Sequence, residues 1–269
     1  MRGLSIAATR IIKALLSIVH RGGSLPGQIG LKLDGNVLSK LKFDCVIVMV
    51  TGTNGKTSTS NLIADLFERA GRRVISNRRG DNMRAGIATT ILTHTTLGGR
   101  VKADAMVLEV DELNVRHLLP QLKVNAFVVT NFFRDQLDRA REMEQLIETI
   151  ENVLPDYEGT LILNANDPNV VRLADHAPKA NTCYFAVDRC GSSSETTAEA
   201  SEGKFCPRCG SRLKYTYFQY SHIGEFHCSN CAFATPSADV CLTDIDLEHR
   251  QFSWRQERFT AAQDGLYAI

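Results

Sequence analysis

A β-branched run, Cys45–Val50, leads directly into Thr51-Gly52-Thr53-Asn54-Gly55-Lys56-Thr57, after which Leu62, Ile63, Leu66, Phe67 and Ala70 recur at helical spacing up to Gly71. Strand, glycine-bracketed turn and helix in this order restrict the chain more than any other feature. Glycine lets consecutive backbone N–H groups turn toward one point, and the helix start adds partial positive charge, so the turn is shaped to hold phosphate oxygens. Lys56 would reach the terminal phosphates of ATP, and the Thr57 hydroxyl would ligate Mg²⁺. The commoner loop has a glycine five positions before its Gly-Lys pair; Val50 stands there, which makes this a shorter variant. A glycine-rich turn that binds nothing is the competing reading, and the Lys and Thr that follow the strand argue against it.

Short β-branched runs alternate with helical patterns from Cys45 to about Phe185, which predicts an α/β fold with a mainly parallel sheet covered by helices. The expected strands are Cys45–Val50, Arg73–Ser76, Ala105–Val110, Ala126–Thr130, Thr160–Leu163 and Thr182–Val187, with a helix over Glu142–Leu154 stopped by Pro155. Cys190–Gly203 crowds Ser, Thr, Glu and Gly without apolar periodicity and reads as an exposed linker. Beyond Pro236, alternation around Val240–Leu247 and Gln251–Thr260 predicts a terminal antiparallel segment, and a further helix is expected to start after Asp264-Gly265. Near the start, Leu4, Ala8, Ile11, Ile12, Leu15, Leu16 and Val19 share one helical face, expected to pack on the protein rather than rest on a membrane.

In an open parallel sheet, ligands collect beyond the carboxyl ends of the strands. Met106-Val107-Leu108 delivers Glu109 there, followed by Asp111 and Glu112. A carboxylate at that place is either a Mg²⁺ ligand or an ordinary strand-end acid. Phe127–Thr130 delivers Asn131 and then the alternating charges of Arg134–Arg139, which read equally well as a solvated loop. Asn164-Ala165-Asn166-Asp167-Pro168 carries the residue types of a helix cap.

Four of the eight cysteines form two Cys-x-x-Cys knuckles, Cys206/Cys209 and Cys228/Cys231, separated by eighteen residues. That spacing predicts a zinc ribbon in which four thiolates close a tetrahedron around Zn²⁺ and leave no site for water, a structural role. A redox pair and a shell in which His227 replaces a cysteine are the alternatives.

Taken in order, Gly52–Thr57, Glu109, Asn131–Asp138 and Asn164–Asp167 resemble the four motifs of the Mur ligase family's central ATP-binding domain. The resemblance implies that ATP activates a carboxylate as an acyl phosphate, which an amine then attacks. It implies that Lys56 and Glu109 act at the reacting phosphoryl group, that Thr57 and Glu109 hold Mg²⁺, and that Asn131, Asn164 and Asp167 belong to the nucleotide site, with Asn164 on the adenine. There are departures. The family's His of the third motif is Gln136 here, no Lys lies between Lys123 and Lys179 where a carbamylated Lys is usual, and the segment before Cys45 is too short for a UDP-binding domain. Together with the cysteine insert and Ser76-Asn77/Asp81-Asn82, these departures resemble the branch formed by MurT-type subunits of lipid II isoglutaminyl synthase. That branch implies amidation of the D-glutamate α-carboxylate with ammonia from a GatD-type glutaminase subunit, and a C-terminal domain these 269 residues are expected to lack.

The segments therefore divide as an N-terminal helical part, 1–40; an ATP-binding domain, 41–202 and 236–269; and a zinc-ribbon insert, 203–235. With 31 basic against 30 acidic residues, the net charge of +1 calls for no polyanionic partner. Lys214-Tyr215-Thr216-Tyr217-Phe218 interleaves aromatic and basic residues as a single-strand nucleic-acid platform would, but it alternates equally well as a ribbon strand. Arg10 and Lys13 interrupt the most apolar stretch, so neither a membrane span nor a signal peptide is expected, and the chain is placed in the cytoplasm, acting at the inner face of the membrane.

Overall fold

The computed structural model describes residues 1–18, 23–78, 81–133, 140–197 and 203–261. The expected loop Arg134–Arg139, Val19, part of the Ser/Thr-rich linker and the segment after Asp264-Gly265 lie outside the described residues. The chain folds as two units, one formed by Met1–Thr51 and Lys56–Val128, the other by Gly52–Gly55 and Val129–Ile269.

The first unit contains α1 (Arg2–Ile18), α2 (Leu25–Leu33), β1 (Val46–Thr51), α3 (Lys56–Arg69), β2 (Val74–Ser76), α4 (Arg84–Thr93), β3 (Ala105–Glu109), α5 (Glu112–Leu118) and most of β4 (Ala126–Val129). Its strand order is β4-β1-β3-β2. β1 and β3 run parallel, with Val46 opposite Ala105 and Val50 opposite Glu109, so Glu109 stands level with the last residues before the glycine loop. Both strands are apolar without alternation and almost wholly buried, as expected of parallel strands covered on both faces.

Small residues, not large ones, set the helix packing of this unit. A Cβ on Gly27 of α2 would lie 2.0 Å from the Ala85 carbonyl of α4, and one on Gly30 would lie 2.3 Å from Thr9 Oγ1 of α1. Ser5 and Thr9 are consequently buried in the α1–α2 seam, and the Thr9 hydroxyl donates to the carbonyls of Ser5 and Pro26. The face expected to pack inward does so only in part: Leu4, Ile11 and Leu15 are each about 60% exposed, whereas Ala8, Ile12 and Leu16 are half-buried. Gly30 lets the backbones of α1 and α2 approach closely at Thr9, and Ile6 of α1 is fully buried.

The second unit contains α6 (Ala140–Glu151), β5 (Thr160–Asn164), a short α7 (Pro168–Val171), β6 (Asn181–Val187), β7 (Leu213–Tyr220), β8 (Ile223–Cys228), β9 (Val240–Asp246), β10 (Gln251–Trp254) and β11 (Glu257–Thr260). β5, β6 and β9 are successive parallel neighbours, and β9-β10-β11 turns back as an antiparallel meander. β7 and β8 form a separate antiparallel hairpin. Each expected strand of the parallel set is present with its ends moved by at most one residue. α6 stops at Glu151, and the chain reaches Pro155 through turns in which the Val153 and Leu154 N–H groups donate to Ile150 and Glu151.

Candidate functional site

The loop Gly52–Gly55 is held by the residues that follow β4. Gly52 has φ +124, and a Cβ there would meet Thr130 Oγ1 at 2.3 Å and the Asn131 backbone at 2.9 Å, so only glycine fits. Asn131 brackets the loop: its carbonyl accepts from Thr53 N–H at 2.8 Å, its Oδ1 from Asn54 N–H at 2.9 Å, and its Nδ2 donates to the Asn54 carbonyl at 3.1 Å. Thr130 Oγ1 donates to that same carbonyl at 2.8 Å. The Thr53 hydroxyl donates to the Phe133 carbonyl and accepts the Phe133 N–H. Asn131 thus acts on the loop's shape, and Phe133, which no sequence pattern marked, shares that task.

The neighbouring motif is built the same way. Asn164 Nδ2 donates to the Thr130 carbonyl at 2.9 Å and its Oδ1 accepts Asn166 N–H at 3.0 Å, which leaves one amide hydrogen and one lone pair for a ligand. Asp167, fully buried, caps α7 through Asn169 N–H at 2.8 Å, and its other oxygen accepts Phe132 N–H at 2.9 Å. The helix-cap reading and the nucleotide-site reading therefore fall on the same residues.

In the first unit, Lys56 opens α3, and the Thr57 side chain is exposed on its first turn. Lys56 Nζ lies 3.2 Å from Glu112 Oε1, both side chains being largely buried. Burial pushes the Glu112 carboxyl up from its usual range, with Lys56 opposing the shift. Glu109 ends β3 and is 4% exposed. Asn77 fixes its backbone from both sides, donating to the Glu109 carbonyl at 2.8 Å and accepting its N–H at 2.9 Å, while Asn82 Nδ2 donates to Glu109 Oε1 at 3.2 Å. The other carboxylate oxygen, Oε2, is buried and has no hydrogen-bond partner among the described residues. A buried carboxylate oxygen without a donor among the described residues is the kind of ligand that Mg²⁺ takes, so Glu109 fits such an ion.

The four expected zinc ligands come together: the sulfurs of Cys206, Cys209, Cys228 and Cys231 all lie within 4.8 Å of one another. Cys206–Cys231 and Cys209–Cys228 are 3.6 and 3.5 Å apart, too long for disulfides and close to the edge of about 3.8 Å required by a tetrahedron with Zn–S bonds of about 2.3 Å. Gly210, with φ +72, closes the first knuckle by donating to the Cys206 carbonyl, and Asn230 N–H points at Cys228 Sγ at 3.4 Å in the second. Hydrogen bonds from Ser211 lead in lowering the Cys209 thiol to about 6, while burial pushes the Cys206 thiol up and Cys231, beside the other sulfurs, is pushed up to about 12. Behind the knuckles Leu213, Phe226 and Phe233 pack with Val171 and the ring of Tyr215. Tyr217 is buried, so the aromatics of 214–218 build the ribbon rather than a stacking platform. His227 is exposed and outside the cluster; His222 sits at the opposite end of the hairpin.

The sequence profile of the Mur ligase middle domain matches residues 50–238, most of the chain. The chain belongs to the Mur ligase family. Among curated relatives of the family, it is 35% identical over 236 residues to the MurT subunit of the glutamine-hydrolysing lipid II isoglutaminyl synthase of Staphylococcus aureus strain N315, covering 87% of this chain and 52% of that one. It is 32% identical over 270 residues to the MurT subunit of Streptococcus pneumoniae strain R6, covering 99% of this chain and 59% of that one. The chain thus spans little more than half the length of these curated relatives. Among solved structures, a pseudomurein peptide ligase type C from Methanothermus fervidus shares the fold with a TM-score of 0.64 at 23% identity, over 86% of this chain and 45% of that one. Among the described residues no helix is long and apolar enough to cross a membrane.

Proposed function

We propose that this chain carries the ATP-binding part of a carbon–nitrogen ligase that amidates the D-glutamate α-carboxylate of the lipid II stem peptide to D-isoglutamine, with ammonia from a GatD-type glutaminase subunit. The observation that carries the reading is the similarity to two MurT subunits across 87% and 99% of the chain. The local geometry supports an ATP site: a phosphate loop with a glycine no other residue can replace, a lysine at the following helix start, and a buried strand-end carboxylate with a bare oxygen. A nearly neutral chain whose ribbon aromatics pack inward gives no support to nucleic-acid binding.

In the proposed reaction a carboxylate oxygen attacks the γ-phosphorus of ATP, the bond to the β-bridging oxygen breaks and ADP leaves. Ammonia then attacks the acyl carbon, the C–O bond to phosphate breaks, and nitrogen loses a proton to give the amide. Lys56 would neutralise charge on the transferring group, exchanging Glu112 for phosphate oxygens. Backbone N–H groups of the loop and of the α3 N-terminus would orient the phosphates. Thr57 and Glu109 would hold Mg²⁺, which would supply charge neutralisation to the nucleotide phosphates. Asn164 would contact the adenine through its remaining amide valences, and Zn²⁺ in the four-cysteine cluster would be structural, with the segment boundaries 203–235 as the insert.

The test uses the complete polypeptide with its glutaminase subunit, lipid II, ATP and amide-¹⁵N glutamine, with Lys56→Ala as control. Product in which ¹⁵N-amide replaces the carboxyl hydroxyl, absent in the control, is the expected result. Addition of a whole amino acid would place the chain among the amino-acid-adding ligases and refute the ammonia route.

A further inference from the structure

The cysteine hairpin has two ends, and the one away from the metal cluster lies against the nucleotide motifs. At its tip, the Gly224 N–H donates to the Asn166 carbonyl at 2.9 Å. His222, fully buried, places Nε2 3.3 Å from Asp167 Oδ1. Tyr220 stacks on Phe133 with ring centroids 5.4 Å apart and planes within 10°, and the His222 ring lies tilted against the same phenyl ring at 4.8 Å. Gly203 closes over this region so tightly that a Cβ would touch Tyr215, His222 and Pro168. Phe133 is in turn bonded through both backbone groups to the hydroxyl of Thr53, inside the phosphate loop. A continuous line of contacts therefore runs from the hairpin through Phe133 to the loop.

We infer that the cysteine-anchored hairpin is a buttress for the nucleotide loop: Tyr220 and His222 hold Phe133, and Phe133 holds Thr53. The inference rests on the reading of Gly52–Thr57 as an ATP site and adds positioning residues to it. A closed four-sulfur shell does no chemistry, but it fixes the two strands whose tip carries these side chains. Without metal, four buried or clustered thiols no longer hold the hairpin base, and a two-stranded ribbon is marginal by itself. The loop would then lose its outer support while Asn131 and Thr130 still brace its inner side. Tyr220 and His222 are positioning residues in this scheme, since they act on the loop through Phe133.

The test measures ATP affinity by calorimetry, zinc content and the thermal unfolding midpoint on the zinc-loaded chain and its variants. Tyr220→Ala should retain its zinc and bind ATP about three- to ten-fold more weakly, the range expected for one lost aromatic pair, whereas Tyr220→Phe should remain within about two-fold of the parent. Phe133→Leu, which keeps apolar bulk, serves as second variant should Tyr220→Ala not fold, and should weaken ATP binding similarly. By reciprocity, saturating ATP should raise the equilibrium affinity for zinc against a competing chelator in the parent and less so in Phe133→Leu. Parent-like ATP affinity in folded Tyr220→Ala or Phe133→Leu would overturn the buttress while leaving the nucleotide site standing. A parent that binds no ATP would remove the nucleotide reading and the buttress with it.

Discussion

Replacing Gly52 with alanine should separate a conformational requirement from a steric one. The new methyl would sit 2.3 Å from Thr130 Oγ1 and 2.9 Å from the Asn131 nitrogen and oxygen, and φ +124 is a region side chains avoid. Thr130 cannot swing away freely, because its hydroxyl is bonded to the Asn54 carbonyl, and the Asn131 backbone is tied to Thr53. Backbone strain of about 1–3 kcal/mol and overpacking of about 1–3 kcal/mol together give a loss of about 2–6 kcal/mol. Gly71 supplies the control: its φ is +75 and a Cβ there meets nothing within 4 Å, so Gly71→Ala carries only the left-handed backbone term, about 1–2 kcal/mol. Equilibrium urea unfolding compares the two, and ATP affinity in Gly52→Ala should fall at least about ten-fold as Thr53 and Asn54 are displaced. Equal stability losses at both positions, with parent-like ATP binding in Gly52→Ala, would refute the reasoning.

Glu109→Gln should raise the Mg²⁺ concentration needed for ATP binding by about ten-fold or more, read by titrating Mg²⁺ at fixed ATP, without lowering thermal stability, because Oε2 has no partner to lose among the described residues. Burial raises Glu112 above its unfolded value near about 4.3, so between that value and the raised one the folded state binds more protons than the unfolded state. This contribution to stability is therefore present at low pH and fades as pH rises through the folded-state value; unfolding of Glu112→Gln followed against pH should lack it. Elemental analysis should find zinc in the parent chain and none in Cys228→Ser, whose ATP affinity should fall in step with the hairpin variants.

The strands and the phosphate loop were legible in the sequence because their determinants are local. A β-branched run next to Gly-Thr-Asn-Gly-Lys-Thr admits few conformations, and the strands lie within one residue of expectation. The cysteine knuckles were equally plain, since ligand type and spacing carry the geometry. α4 was missed because it is apolar nearly all round, with Gly86, Ile87, Ala88, Ile91 and Leu92 buried, and so shows no helical face. The partial exposure of the apolar face of α1 was not legible because the close approach of α1 and α2 depends on a glycine on another helix, Gly30. Phe133 and the hairpin tip escaped notice for the same reason: their roles depend on residues 87 and 89 positions away in the chain, Tyr220 and His222, which no local pattern joins to them. Asn131, expected in the nucleotide site, braces the phosphate loop through hydrogen bonds to Asn54, contacts that motif matching does not reveal.

The central claim is ATP-driven activation of a carboxylate, and oxygen isotope transfer tests it most directly. Lipid II carrying ¹⁸O in the D-glutamate α-carboxylate, incubated with the complete polypeptide, its glutaminase subunit, glutamine, Mg²⁺ and ATP, should yield inorganic phosphate bearing one ¹⁸O for each amide formed, with no transfer in Lys56→Ala. Amide formation with unlabelled phosphate would contradict the acyl phosphate, and ATP-independent amide would contradict the account of the site as a whole.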